Sequence, residues 1–318
     1  MPAYRAMSPA AWAPTTFNFL SGALPAGATL TRASIGWYFN SSLALASAAT
    51  DVGRWTYDPT GGGLQGLLVE PAATNSFRNA SAAGAVAGTP GTQANFWTAT
   101  TTANNVTRQI NAGGTEDGIA YFEVKYSGMP SANGSFAVSF DAATQVAALV
   151  GQTWVGSPFA GIVLGSLENL SVIRFVMAER DAGGVQLTNQ SYTVAPTTAA
   201  LRTQRFLCSR TLDQAATAFV QFSFSAAYTL NNPVNVTLRF GLPQLVEAAA
   251  PFSPIVTTSA AVTRAADVLS VALASGTYTA IRITRASGVT TLSSVVVSGG
   301  SYTVPTDPSP LQKIEIFP

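Results

Sequence analysis

Hydrophobic and polar positions alternate with a period of two through the middle of this chain. In GIAYFEVKYSG (118–128), Ala120, Phe122, Val124 and Tyr126 share one face, while Tyr121, Glu123 and Lys125 share the other. That is the pattern of a half-buried strand. The same period aligns Phe136, Val138 and Phe140 in GSFAVSFDA (134–142), and in SVIRFVMAE (171–179) it sets Ile173, Phe175 and Met177 against Val172, Arg174 and Val176. QRFLCSR, TAFVQFSFSA and VNVTLRFG follow, the last with Val234, Val236, Leu238 and Phe240 on one face. Turn signals separate these runs, among them Asn133-Gly134, Asp181 to Gly184 and Asn231 to Pro233. Short alternating strands without intervening amphipathic helices predict an all-β fold, an antiparallel β-sandwich of jelly-roll type over residues 76–257. Within it, AATQVAALVG (142–151) places Val146, Leu149 and Val150 at near-helical spacing and predicts a short helical turn.

The two ends read differently. Residues 1–75 hold Trp12, Trp37 and Trp55, little regular alternation and several proline and glycine breaks. They predict an extended N-terminal attachment segment that does not fold alone, its rings laid onto the sandwich or onto a neighbouring subunit, because such rings are costly to leave wet. Residues 258–318 hold short strands again and predict a small C-terminal β module. In its TAIRITR run, Arg282 and Arg285 fall on opposite faces of a strand.

Composition changes the picture at the surface. Only 10% of residues are charged, against roughly 25% in ordinary soluble domains, so exposed faces are rich in hydroxyls and amides. Such a surface loses little ionic solvation when covered, which favours a homotrimer or other symmetric homo-oligomer over a free monomer; drift toward small uncharged residues is the competing explanation. The net charge is +1, and the 14 arginines and two lysines are scattered, which argues against nucleic acid as a partner. The most apolar stretch, 146–165, is interrupted by Gln152, Ser157 and Pro158, which argues against membrane insertion. The N-terminus lacks the apolar run of a secretory signal. A length of 318 residues allows about two domains.

Candidate chemistry is sparse. The chain has no histidine, which removes Ser-His-Asp and Cys-His catalysis and the usual zinc sites. Cys208 is the single cysteine, too few for an intrachain disulfide, and its strand context makes it a small buried hydrophobe. No phosphate-binding or dinucleotide fingerprint occurs, so no cofactor is expected. The carboxylate pairs Glu116-Asp117 and Glu179 with Asp181 suit glycoside hydrolysis in principle, yet both adjoin turn signals where acids ordinarily face water. The same reasoning sets ordinary exposure above a structural calcium at Glu116-Asp117. No catalytic residue and no metal ligand is therefore assigned. Sugar binding favours aromatic platforms flanked by amide and guanidinium donors. Trp97 and Trp154 are the candidate platforms, although the core is the commoner place for either ring. Arg174, Tyr192 and Gln221 are candidate partners on a solvated face.

Two phrases bracket the sandwich. RWTYDPTGGGLQGLLVEPAATN (54–75) precedes it, and GLPQLVEAAAPFSPIVTTSAAVTRAADVLSV (241–271) closes it; both read as docking seams. They resemble the R-x-x-Y-D-P … G-L-L-x-E-x-x-x-T-N, G-x-x-Q-L-E-x-G-x-x-x-S-P-I-x-T and V-T-R-A-A-D phrases of tail-fibre and minor tail proteins of tailed phages and phage-like gene transfer agents. The final run, VVVSGGSYTVPTDPSPLQKIEIF, is similar to terminal strands of that group. The resemblance implies a virion protein made in the host cytoplasm, with a carbohydrate-binding-module-like jelly roll, other tail or head proteins as partners, and host-surface glycans as a ligand class. It also admits a decoration protein without ligand, or a polysaccharide-depolymerising tail enzyme using paired carboxylates. The extra Val246 in QLVEAAA and the poor match across 80–235 leave no glycan-site residue transferable.

Overall fold

The computed structural model describes residues 14–318, and Ala112 through its backbone only; Trp12 lies outside the described residues. The structure is all β, with a three-residue 3₁₀ turn at Leu201–Thr203. Among the described residues no helix is long and apolar enough to cross a membrane. The chain forms two compact units. One takes residues 14–42, Ser47–Ala72 and Ala265–Pro318; the other takes Leu43–Ala46 and Ala73–Arg264.

The larger unit is the antiparallel sandwich that the alternation predicts. A four-stranded sheet runs in the order Phe159–Gly165, Val234–Gly241, Ile119–Gly128, Thr107–Glu116. A five-stranded sheet runs Gln186–Thr193, Leu170–Arg180, Phe219–Tyr228, Gly134–Ser139, Thr98–Thr101. Every pairing in both is antiparallel. Their inner faces share one apolar core, in which Phe122, Val124, Tyr126, Leu238 and Phe240 meet Phe136, Val138, Phe175, Phe222 and Phe224. Phe224 and Phe240 lie 5.0 Å apart across the sheets, and Tyr126 stacks on Phe136 at 3.9 Å. Contacts of this kind add about 0.5–1.5 kcal/mol per aromatic pair beyond burial. A three-stranded sheet, Cys208–Thr211, Thr153–Gly156, Leu245–Glu247, contributes Cys208, Trp154 and Leu245 to that core. Burial pushes the Cys208 thiol up to about 12.

The helical turn expected over 142–151 does not form. Val146 accepts from Val220 N at 3.0 Å, Ala148 N donates to Ala218 O at 2.9 Å, and Ala147 bridges Phe219. The segment satisfies its backbone against a neighbouring strand, which removes the need for i to i−4 bonds.

The smaller unit divides the chain differently from the expected boundaries after residues 75 and 257. Strands from both ends of the chain make one six-stranded sheet, in which Gly288–Val297, Gly276–Arg285, Asp307–Phe317, Leu64–Val69 and Trp55–Tyr57 follow in order and Thr15–Asn18 also pairs with Asp307–Phe317. Its core joins Phe17, Phe19, Leu30, Leu67 and Val69 to Leu269, Val271, Ile281, Ile283, Ile314 and Ile316, with Trp55 packed against it. The early aromatic side chains therefore find their partners in the last fifty residues. Arg285 turns inward at 8% exposure, while Arg282 faces out toward Glu315.

The phrase residues are buried polar anchors. In the smaller unit, Arg32 and Arg54 both reach Asp267, at 3.1 and 2.6 Å, and Arg54 reaches Glu70 at 2.8 Å. All four side chains are fully enclosed, two charges of each sign. In the larger unit, Asn75 donates to Pro243 O and Ile255 O and accepts from Phe77 N and Leu245 N. Gln244 accepts from Ile255 N at 2.8 Å, and Thr257 accepts from Ala80 N at 2.7 Å. Strands Ala73–Asn75 and Val262–Arg264 pair, so the chain enters and leaves the sandwich unit side by side. Burying these groups is tolerable only because each is bonded or paired.

Candidate functional site

The four-stranded sheet turns a polar face outward. Antiparallel pairing places Lys125 opposite Gln109 on one side and Thr237 on the other, and Thr237 opposite Leu164. One rung thus crosses all four strands. Asn111 and Asn235 lie two residues along from Gln109 and Thr237 on the same faces. With Gly165 these residues line a hollow of about 480 Å³. Both edge strands are bulged beside it, one between Ile162 and Leu164, the other opposite Glu123. Bulges of this sort re-aim side chains and cluster near functional surfaces. Gly165 has φ +81° and its Cα approaches the adjacent strand so closely that a Cβ would sit 2.0 Å from Asn235 O. Only glycine fits there.

Next along the face is a charged rung. Arg239 donates from Nε to Glu123 at 3.0 Å and from Nη1 to Glu116, and its guanidinium lies 3.9 Å from the Tyr121 ring centre. Burial opposes the Arg239 charge, but Glu123, Tyr121 and Glu116 together outweigh it and hold its pKa above the ordinary value. Beyond Arg239 lies a second hollow of about 210 Å³, bounded by Glu116, Gly161, Ile162 and Leu201 among others.

The polar groups of the first hollow differ from those around Arg239. Among the described residues, the side chains of Gln109, Asn111, Lys125, Asn235 and Thr237 engage no hydrogen-bond or ionic partner. The hollow therefore offers three amides and an ammonium, free to bond a ligand that presents hydroxyls or an anion, while Thr237, 2% exposed, forms its floor. Leu164 supplies an apolar wall, 68% exposed.

The sequence candidates lie elsewhere. Trp97 and Trp154 are 5% and 4% exposed. Trp97 sits edge-on to Phe122 and Phe140 and donates Nε1 to Asn79 O at 2.7 Å; Trp154 belongs to the same core and donates to Gln152 at 3.3 Å. Neither ring is a platform: Trp97 turns inward from the loop before strand Thr98–Thr101, and Trp154 from a short strand whose last three residues are all buried. Tyr192 is half-buried: it pairs in register with Phe175, packs against the core and donates its hydroxyl to Ser209 O. Burial, reinforced by Cys208, pushes its phenol up to about 12. Arg174 and Gln221 do occupy the outer face of the five-stranded sheet, but Arg174 donates to Ser191 at 3.0 Å and Gln221 accepts from Arg180 at 2.8 Å.

The acidic pairs are also engaged. Asp117 and Gly118, with φ +49° and +77°, form the two-residue turn of the hairpin Thr107–Glu116/Ile119–Gly128, the geometry that Asp-Gly favours. Asp117 pairs with Arg202 and Glu116 with Arg239. Glu179 does not face water as its turn context suggests. It is 0% exposed, pairs with Arg210 and accepts from Asp213 N, Gln214 N and Thr217 Oγ1. Among the described residues no group of three or more acidic or cysteine side chains could hold a metal ion.

Sequence reasoning missed Gln109, Asn111, Asn235 and Thr237 and read Lys125 only as outward-facing. The available signal was VNVTLRF, whose alternation sets Asn235, Thr237 and Arg239 opposite the buried valines.

No protein-family model matches this chain, and no curated protein does. Among solved structures it is similar to the family 11 carbohydrate-binding module of a cellulosomal cellulase of Clostridium thermocellum, at 16% identity and TM-score 0.29 over 52% of this chain and 95% of that one. It is similar to a xylan-binding domain from Paenibacillus barcinonensis, at 16% identity and TM-score 0.30 over 56% and 94%. The enzymatically active domain of tailspike protein 4 of bacteriophage CBA120 gives 11% identity and TM-score 0.31 over 48% of this chain and 19% of that one. Likenesses this weak carry no argument about ligand or reaction.

Proposed function

We propose that the protein is a glycan-binding structural component of a phage or phage-like particle, a tail-fibre or receptor-binding subunit whose outer four-stranded face meets host-surface carbohydrate. One observation carries the binding half: an open hollow lined by five polar side chains that have no partner of their own among the described residues. A pyranose presents hydroxyls that need such directional partners. The virion half is supported by the resemblance of residues 54–75 and 241–271 to tail-protein phrases. On the same reading, copies of the chain associate. Strand Gly288–Val297 is an edge of its sheet, ten residues long without a charge, with Val289 and Val296 59% and 75% exposed. Natural edges usually carry charges that prevent pairing with another chain.

The experiment is a glycan array followed by titration calorimetry with the Gln109→Ala/Asn111→Ala double variant. Each lost hydrogen bond is worth about 0.5–1.5 kcal/mol, so the affinity for a retained glycan falls about tenfold. Arg174→Ala, on the other sheet, leaves it unchanged. Retention of no glycan by the native protein, or equal affinity in the double variant, removes this site from the function.

A further inference from the structure

The hollow holds an unmatched positive charge. Of the two lysines, Lys313 pairs with Glu315 at 3.0 Å, whereas Lys125 has no partner among the described residues. The acid nearest along its strand, Glu123, is held by Arg239 through two nitrogens, at 3.0 and 2.5 Å. Glu116 is taken by the same guanidinium and borders the other hollow. No acidic residue lines the hollow around Lys125; its polar lining is Gln109, Asn111, Asn235 and Thr237. The two hollows of this face thus differ in charge balance: the first holds a lysine among neutral polar groups, whereas in the second Glu116 is answered by Arg239, which lines the same hollow.

We infer that the glycan bound at this face carries negative charge and that Lys125 is its counter-ion. The inference rests on the glycan-binding reading and specifies the ligand class. An ammonium among amides recognises an anion by a charge-assisted hydrogen bond, with Gln109 on the facing strand and Asn111 beyond it positioned to donate to the remaining anion oxygens or to ring hydroxyls. A neutral sugar at the same place would gain the amide bonds and leave the charge unanswered. In a chain where only 10% of residues are charged, little competing field exists to blur that preference. Sugar carboxylates and sugar phosphates both supply the required anion.

The test uses the intact protein and three polymers: polygalacturonate, the same polymer after carboxyl reduction, and poly(glycerol phosphate). Binding is measured by affinity electrophoresis and calorimetry at low and physiological salt, for the native chain, Lys125→Gln and Lys125→Arg. Thermal melting checks that both variants fold. The expected result is an anionic polymer bound about tenfold or more tighter than the reduced one, a preference weakened by salt, lost in Lys125→Gln and kept in Lys125→Arg. Binding of polygalacturonate alone assigns the anion to a carboxylate, and binding of poly(glycerol phosphate) alone assigns it to a phosphate ester. Equal binding of the acidic and reduced polymers, or an unchanged preference in Lys125→Gln, overturns the charge assignment. In that case weakening by Gln109→Ala/Asn111→Ala would leave the glycan site standing. Binding of none of the three overturns the inference, while glycan-array retention with the double variant decides the broader reading separately.

Discussion

Glu179 shows how one buried charge organises a region. Its carboxylate takes the Arg210 guanidinium on one oxygen, and two backbone amides and a threonine hydroxyl on the other. The loop from Asp213 to Thr217 is thereby tied to the inner face of strand Leu170–Arg180. Glu179→Gln would leave the enclosed Arg210 charge with only the exposed Asp213, 3.3 Å away, as counter-ion and weaken the bonds that Glu179 accepts, so a loss of about 2 kcal/mol or more is expected in urea unfolding. An unfolding midpoint equal to that of the native chain would contradict the assignment. The alternation of Phe175 and Met177, extended by two residues, places Glu179 inward; the Gly-rich turn after Asp181 argues for solvent. Alternation won because Arg210, thirty-one residues later, compensates the buried charge. No local reading of the sequence contains that partner. The same holds for Asp267, whose partners Arg32 and Arg54 lie more than two hundred residues away.

At the level of elements, strands and faces were legible and their register was not. Phe122, Val124 and Tyr126 are buried, and Lys125 and Glu123 face out, as the period of two requires. Which outward residues become neighbours depends on how strands pair. Gln109, Lys125, Thr237 and Leu164 come from four separate runs and meet only through the observed register and its two bulges. The edge strand Gly288–Val297 is an element whose consequence can be tested directly. Its backbone is interrupted by a left-handed kink at Ser294 but carries no Lys, Glu or Pro to discourage pairing. Val296→Lys places a charge on that edge, and light scattering is expected to show the average mass falling toward that of a single chain. An unchanged mass would remove this edge from the proposed association.

The whole molecule is two cores threaded by one chain. The sandwich core is assembled from Ala73–Arg264 with a short piece, Leu43–Ala46, while the smaller core needs both ends of the sequence. Truncation after Arg264 removes Asp307–Phe317 from between Gly276–Arg285 and Leu64–Val69 and strips Phe17, Phe19, Leu67 and Val69 of their partners. Limited proteolysis of that truncated chain is expected to cut rapidly within 14–72 while the sandwich, which keeps its own core, resists; equal protection of both regions would contradict the shared core. The sequence by itself determined the all-β class, the strands and their buried faces, because burial of alternate side chains is a local property of a pleated chain. It determined also that histidine-dependent catalysis and an intrachain disulfide have no residues to use within these 318 positions, since those depend only on which residues are present. Only the tertiary structure decided that the two ends share a sheet, that Trp97 and Trp154 are core with Tyr192 packed half-buried against it, and that amides from separate strands surround Lys125. Those facts depend on pairing between residues far apart in sequence, where register and the compensation of buried charge outweigh any local preference.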